Sequence, residues 1–343
     1  MEPPTRPATI YDVAKHAGVS HQTVSRYLRS YQGIRPATKQ KVAAALEALN
    51  YRPNTAARLL TTGKSLRIAV LTHELKQYGP SQVLQGATKA ARQASYWPDV
   101  VTLDASDPED IARAIDTVRL SDLAGVLALS STDEMTQAFE AVEFGVPAVI
   151  NAKEEFTASA EPATATLLEP MLEYLASLGH RDYLHIAGPK SWSAARDRQS
   201  DFLSAAANHG ARETHTVEGD WSAKSAYHAT TEFLAGLDKR HGANVTAIVA
   251  ASDQMALGAM RALGEAGIQI PDEMSVTGMD DIPDAAYFYP PLTTLRLDFE
   301  AQGRLACLRL LDKITTEPAA EPAATSPQLI VRASTGPARA NAA

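Results

Sequence analysis

The 343-residue sequence holds a single cysteine, Cys307, so no internal disulfide can form and the chain suits a reducing compartment. No stretch approaches the roughly 20 consecutive apolar residues that a membrane-spanning helix needs. The opening Met1-Glu-Pro-Pro-Thr-Arg-Pro7 lacks the basic-then-apolar layout of a secretory leader. These absences predict a cytoplasmic protein without a membrane partner. Gly-x-Gly occurs nowhere, which removes the dinucleotide-binding fingerprint. Gly63-Lys-Ser65 looks like the end of a phosphate loop, but the first glycine of such a loop would fall at Arg58, and no apolar strand precedes it. There is no Gly-x-Ser-x-Gly elbow and no His-Glu-x-x-His helix, and the nine histidines are scattered without metal-ligand spacing. An enzyme is therefore disfavoured, and no metal or cofactor is expected.

Acidic residues are scarce at one end only. Residues 1–64 hold ten Lys/Arg against three acids, Glu2, Asp12 and Glu47, a net +7. The whole chain is −8, so the remainder carries −15. A basic head on an acidic body suits a polyanion-binding module on a soluble carrier.

The head reads as three short helices. Thr9 and Asp12 have capping-box spacing, Ile10, Val13, Ala14 and Ala17 share an apolar face, and Gly18 ends the first helix. Ser20 can cap a second helix in which Val24 and Leu28 point inward. Pro36 opens a third, with Val42, Ala45, Leu46 and Leu49 on one stripe. Two helices joined by a tight glycine turn, the second beginning at a hydroxyl residue, form the layout of a helix-turn-helix. Asn54 can cap a two-turn piece ending at Gly63, too short to hold helical form alone in water. It reads as a hinge that orders when something packs on it.

From Leu66 the pattern alternates. Strands are predicted over 66–72, 99–103, 125–129, 147–151, 182–187, 214–217, 246–251, 274–279, 293–298 and 328–332, with helices between most, such as 81–95, 134–144, 193–208, 222–236 and 253–266. Apolar runs such as Ile68–Leu71 argue for parallel sheets covered on both faces. The length of this part favours two lobes, with a ligand cleft at the carboxyl ends of the strands. The fold class is an all-α helix-turn-helix headpiece followed by an α/β, two-lobed, periplasmic-binding-protein-like core.

Thr9-Ile-Tyr-Asp-Val-Ala-Lys-His-Ala-Gly-Val-Ser-His-Gln-Thr-Val-Ser-Arg26 resembles the head of the lactose repressor family of bacterial regulators. Asn50–Asn54 and Ala57–Leu60 look like its hinge. Ser177–His180, Ile186–Pro189, Glu218–Ala223, Ser252–Ala262 and Tyr289–Thr294 continue the match through the body, from about residue 8 to 334. Segments at Gly79–Gln82, Trp221 and Gln254 lean toward the lactose-responsive type.

The resemblance implies a domain plan: a DNA-binding domain over 1–52, a hinge helix over 53–64, and a core over 65–335. Lobe 1 would take about 65–163 and 296–325, lobe 2 about 164–295 and 326–335, with 336–343 a loose tail. It also implies a repressor that binds double-stranded operator DNA as a homodimer and responds to a small sugar. The second helix would enter the major groove, where His21, Gln22 and Arg26 read bases. Tyr11, Ser20, Thr23, Ser25 and Asn54 would fix register on phosphates and sugars. Ala57 and Leu60 of paired hinge helices would lie in the minor groove, Leu60 as a wedge that unstacks a base step. For the ligand, the matching positions are Asn151, Arg198, Trp221, Ser252, Asp253, Asp280 and Phe299, with Arg198 and Asp280 foremost; Asp253 has an alternative role as a helix cap.

Departures bear on the ligand. Asn151 stands where the lactose-responsive type has an acid, Ser252 where it has an amide, Leu297 where it has glutamine, and Gln77 where it has an apolar contact. The C-terminal leucine heptads that tetramerise that type are missing, so a dimer is expected. Galactosides and related glycosides lead. The rivals are a corepressor- or partner-dependent regulator and, in another class, an extracytoplasmic sugar-binding protein, which the +7 head opposes.

Overall fold

A computed structural model describes residues 8–28, 31, 33–51, 65–151, 167–237, 245–315 and 326–339. It contains two compact units, Met1–Ser65 and Leu66–Ala343. Among the described residues no helix is long and apolar enough to cross a membrane.

In the first unit, α1 (Ile10–Ala17) begins with a complete capping box. The Thr9 N–H donates to Asp12 Oδ2 at 2.8 Å, and the Asp12 N–H donates back to the Thr9 hydroxyl at 3.4 Å. Gly18 stops the helix in the left-handed region, at φ 65°, which a side chain would disfavour. The Ser20 hydroxyl then accepts from the Thr23 N–H at 3.2 Å and so starts α2 (His21–Leu28). Pro36 opens α3 (Pro36–Ala48). Val13, Ala14, Ala17, Val24, Val42 and Ala45 make the small core of this unit, with Leu28, Leu46 and Leu49 partly buried against it.

The second unit carries two sheets. The first has the order β2-β1-β3-β4, from β1 (Arg67–His73), β2 (Trp97–Leu103), β3 (Gly125–Leu129) and β4 (Ala148–Asn151), all parallel. Every β1 residue after Arg67 is buried, as a strand covered on both faces must be. The covering helices are α4 (Tyr78–Gln93), α5 (Pro108–Arg119) and α6 (Asp133–Glu140).

The second sheet runs β10-β9-β8-β7-β5-β6. Its strands are β5 (Asp182–Ala187), β6 (Glu213–Glu218), β7 (Ala247–Ala250), β8 (Ser275–Asp280), β9 (Thr293–Arg296) and β10 (Gln328–Ile330). The first five are parallel; β10 adds an antiparallel edge, Leu329 opposite Leu295. Helices α7 (Glu169–Ser177), α8 (Ser193–Asn208), α9 (Ala223–Leu237) and α10 (Asp253–Glu265) flank it.

The late helix α11 (Phe299–Thr315) returns to pack on α4 and the first sheet. The two helices touch backbone to backbone through glycine. A Cβ on Gly303 would stand 1.8 Å from the Val83 carbonyl oxygen, and one on Gly86 1.9 Å from that of Glu300.

His185 lies fully buried in β5, stacked on Phe202 at 4.5 Å, and burial pushes its pKa down to about 4. The ring stays neutral in the fold, whereas in the unfolded chain it takes a proton below about pH 6.5. Stability is therefore lost as the pH falls from the unfolded value toward 4. Lowering the pH from 7 to 5 should cost wild type about 2 kcal/mol more than His185→Gln, read from denaturant titrations at both pH values.

Candidate functional site

Two surfaces carry the residues singled out above, one in each unit. On the head, α2 presents His21, Gln22 and Arg26 to solvent, with Thr23 and Ser25 half-buried beside them. Tyr11 is 65% exposed on α1, and its ring lies 5.1 Å from that of His21. Ser20 spends its hydroxyl on α2, bonding the Thr23 N–H and hydroxyl. The Arg26 guanidinium sits 5.7 Å over the Tyr31 ring. Arg26, Arg35, Ser20, Thr23 and Thr38 line one shallow concavity, two cations among hydroxyls, chemistry that suits a phosphate. Asn54, Ala57 and Leu60 lie outside the described residues.

In the core, the carboxyl ends of both sheets open on one cleft of about 790 Å³, part of it open to solvent. Arg198, Trp221, Ser252, Asp280 and Phe299 all line it. Arg198, on α8, is 3% exposed. It donates to the Ala251 carbonyl at 2.5 Å and to Asp280 Oδ1 at 3.2 Å, and its guanidinium lies 5.5 Å over the Trp221 ring. Asp280 ends β8 with φ 109°, and Trp221 has φ 71°, so both hold strained backbone where they meet the cleft. The Ser252 hydroxyl accepts from the Met255 N–H at 3.2 Å and caps α10 from the cleft wall. Phe299 meets Tyr78 edge-on at 6.1 Å. Burial, then the charges of Asp280 and Asp281, push the Tyr78 phenol up.

Asp253 does not line the cleft. It is fully buried, its carboxylate accepting from the Thr294 hydroxyl at 2.5 Å and the Ile282 N–H at 2.8 Å. It is the first residue of α10, whose cap is Ser252, so it fastens β9 and the turn after β8 beneath the site. Burial and Asp280 raise its pKa well above the ordinary carboxylate value. Asn151 ends β4, and its side chain lies outside what is described.

The cleft also holds residues that sequence reasoning passed over: Thr72 and His73, which end β1, Trp192 before α8, Gln254 on α10 and Gln302 on α11. Polar residues at the carboxyl end of a buried strand were the available signal, since ligands sit there in such folds. Across the cleft, Thr132 and Trp192 form an antiparallel bridge, the Ser193 N–H donates to the Ser131 carbonyl at 3.0 Å, and Arg196 pairs with Asp133 at 2.7 Å. These contacts tie the two lobes at one edge.

Residues 9–54 match the family described as bacterial regulatory proteins, lacI family, and residues 172–335 match a periplasmic binding protein-like domain. The lactose operon repressor of Escherichia coli (strain K12) is 34% identical over 313 residues, 89% of this chain and 84% of that protein. The transcriptional repressor PurR of Yersinia enterocolitica is 30% identical over 325 residues, 90% of this chain and 91% of that one. A lac repressor dimer bound to operator and the anti-inducer ONPF superposes with a TM-score of 0.81 at 32% identity, covering 96% of this chain and all of that one.

Proposed function

The chain belongs to the lacI family of bacterial regulatory proteins, a DNA-binding repressor and not an enzyme, and from that premise we propose that it controls carbohydrate-utilisation genes in response to a neutral sugar. A homodimer holds operator DNA through two heads. A galactoside or related glycoside in the core cleft then releases it.

One observation carries the sugar reading. Arg198 and Asp280, hydrogen-bonded to each other, are the charged side chains among the described residues lining the cleft. Around them stand serine hydroxyls, the amides of Gln77, Gln254 and Gln302, and the faces of Trp192, Trp221, Tyr78 and Phe299. Opposite charges that offset each other, many hydroxyl and amide groups, and broad aromatic faces suit an uncharged polyol ring better than a phosphorylated or otherwise ionic ligand. Asn151 would join this set from the end of β4.

At the head, His21, Gln22 and Arg26 read base edges in the major groove, while Tyr11, Thr23 and Ser25 hold the phosphate backbone. Residues 53–64 act as the hinge, with Asn54 at its start and Ala57 and Leu60 in the minor groove. The sugar acts by preferring one lobe arrangement. Its effect on DNA affinity can be no larger than that difference in affinity, typically 1–3 kcal/mol in allosteric proteins.

A gel shift with the neighbouring promoter DNA and a panel of mono- and disaccharides tests this. Release by one neutral sugar, with affinity lowered about 5- to 150-fold, is the expected result. Tightening would reverse the sign of control, and indifference to every carbohydrate would remove the sugar reading.

A further inference from the structure

We propose that His73, Trp192 and Trp221 form a hydroxyl-binding subsite of the cleft, in which His73 is a specificity-determining contact to the effector. The inference rests on the carbohydrate reading above and goes further in naming the residue that discriminates.

His73 is the last residue of β1 and only 2% exposed, yet it lines the cleft. Its Nδ1 is buried and has no hydrogen-bond partner. The same holds for the indole Nε1 of Trp221 and the hydroxyl of Thr72, which line the cleft with it. Buried polar atoms are normally paired, because leaving one unpaired forfeits its bond to water with nothing in return. Three such atoms around one opening mark a place where a ligand supplies the missing partners.

The rings define the ligand's other requirement. His73 and Trp192 lie 5.1 Å apart at 59°, and Trp192 and Trp221 lie 5.7 Å apart at 64°, so the three form one continuous aromatic wall. An indole N–H can only donate. Burial holds the imidazole neutral, its pKa lowered to about 4, so it offers one donor and one acceptor nitrogen. A ring with an apolar face and equatorial hydroxyls meets all of these demands, since each hydroxyl both donates and accepts. An anionic group would find the indole N–H but no cation at His73.

The subsite also spans the lobes. His73 comes from the first sheet, whereas Trp192 and Trp221 lead into α8 and α9 on the second. The backbone of Trp192 bridges back to Thr132. A sugar seated against this wall therefore touches both lobes beside the edge where they are tied.

The test is titration calorimetry on the full chain with lactose, cellobiose and methyl β-D-galactopyranoside, using wild type, His73→Leu, His73→Phe and His73→Asn. With the glycoside that binds wild type, both apolar variants should bind at least about tenfold more weakly, and His73→Asn within about threefold. The melting temperature of sugar-free His73→Leu should not fall, because the substitution removes an unpaired buried nitrogen. A purely structural histidine would give the opposite pattern, a lowered melting temperature with affinity kept. Wild-type affinity in both apolar variants overturns the subsite and leaves the sugar reading standing. Failure of wild type to bind any glycoside overturns both.

Discussion

Arg198→Ala should yield a repressor that still grips operator DNA and no longer answers its sugar. The guanidinium is anchored on the Ala251 carbonyl and Asp280, and it lies over Trp221, so one side chain organises three parts of the cleft wall. Hydrogen bonds to charged groups contribute roughly 1.5–3 kcal/mol each. Losing those that reach the ligand, and the alignment of Asp280 with them, should weaken sugar binding about 100-fold or more. Stability should fall too, because Asp280 is left buried without its cation; breaking a buried pair costs about 3–5 kcal/mol. Arg198→Lys should not rescue the response, since an ammonium cannot reproduce the planar fork. Gel shifts with and without the sugar, beside calorimetry, check the uncoupling. An inducible Arg198→Ala protein would remove the residue from the site.

The sequence made the central strands plain because burial on both faces leaves apolar runs. β5 and β3 fall on their predicted spans, and the others differ by one or two residues at an end. The differences have local causes. β2 begins at Trp97, ahead of Pro98, because an edge strand tolerates a residue without an N–H. α4 begins at Tyr78, three residues before the predicted start, since Gly79 and Pro80 fit a first turn, where the N–H groups lack partners anyway. The cleft was legible where the resemblance supplied matching positions, at Arg198, Trp221, Ser252, Asp280 and Phe299. It was not legible at His73 and Trp192, which meet only through the pairing of two lobes far apart in sequence. Asp253 shows the reverse: a matched position whose side chain turns away from the cleft, toward Thr294 and Ile282.

Gly303→Ala is expected to be the most damaging single added methyl among the described glycines. Its Cβ would stand 1.8 Å from a backbone carbonyl of α4, and a backbone cannot step aside as a side chain does. The helices must part, at a cost of about 3 kcal/mol or more. Sugar binding should weaken as well, because α11 carries Phe299 and Gln302 and α4 carries Tyr78 into the cleft. The contrasting substitution is Gly264→Ala on α10, where a Cβ meets nothing within 4 Å. Gly264 lies in the last turn of α10 with no left-handed backbone, so the change should stabilise by roughly 0.4–1 kcal/mol, chiefly by restricting the unfolded chain. Thermal melts of both variants decide the matter; equal melting temperatures would refute the close-contact account.

The order in which the chain visits its sheets has a cost during synthesis. The first sheet is complete by Asn151, yet the helix that seals it against α4 begins only at Phe299, after almost the whole second sheet has been made. A nascent chain leaving the ribosome thus exposes the apolar faces of Val83, Ala87 and Leu127 until the final tenth or so emerges. Premature termination upstream of residue 299 should release aggregating fragments instead of a smaller working sensor, and chaperone demand should peak late in translation.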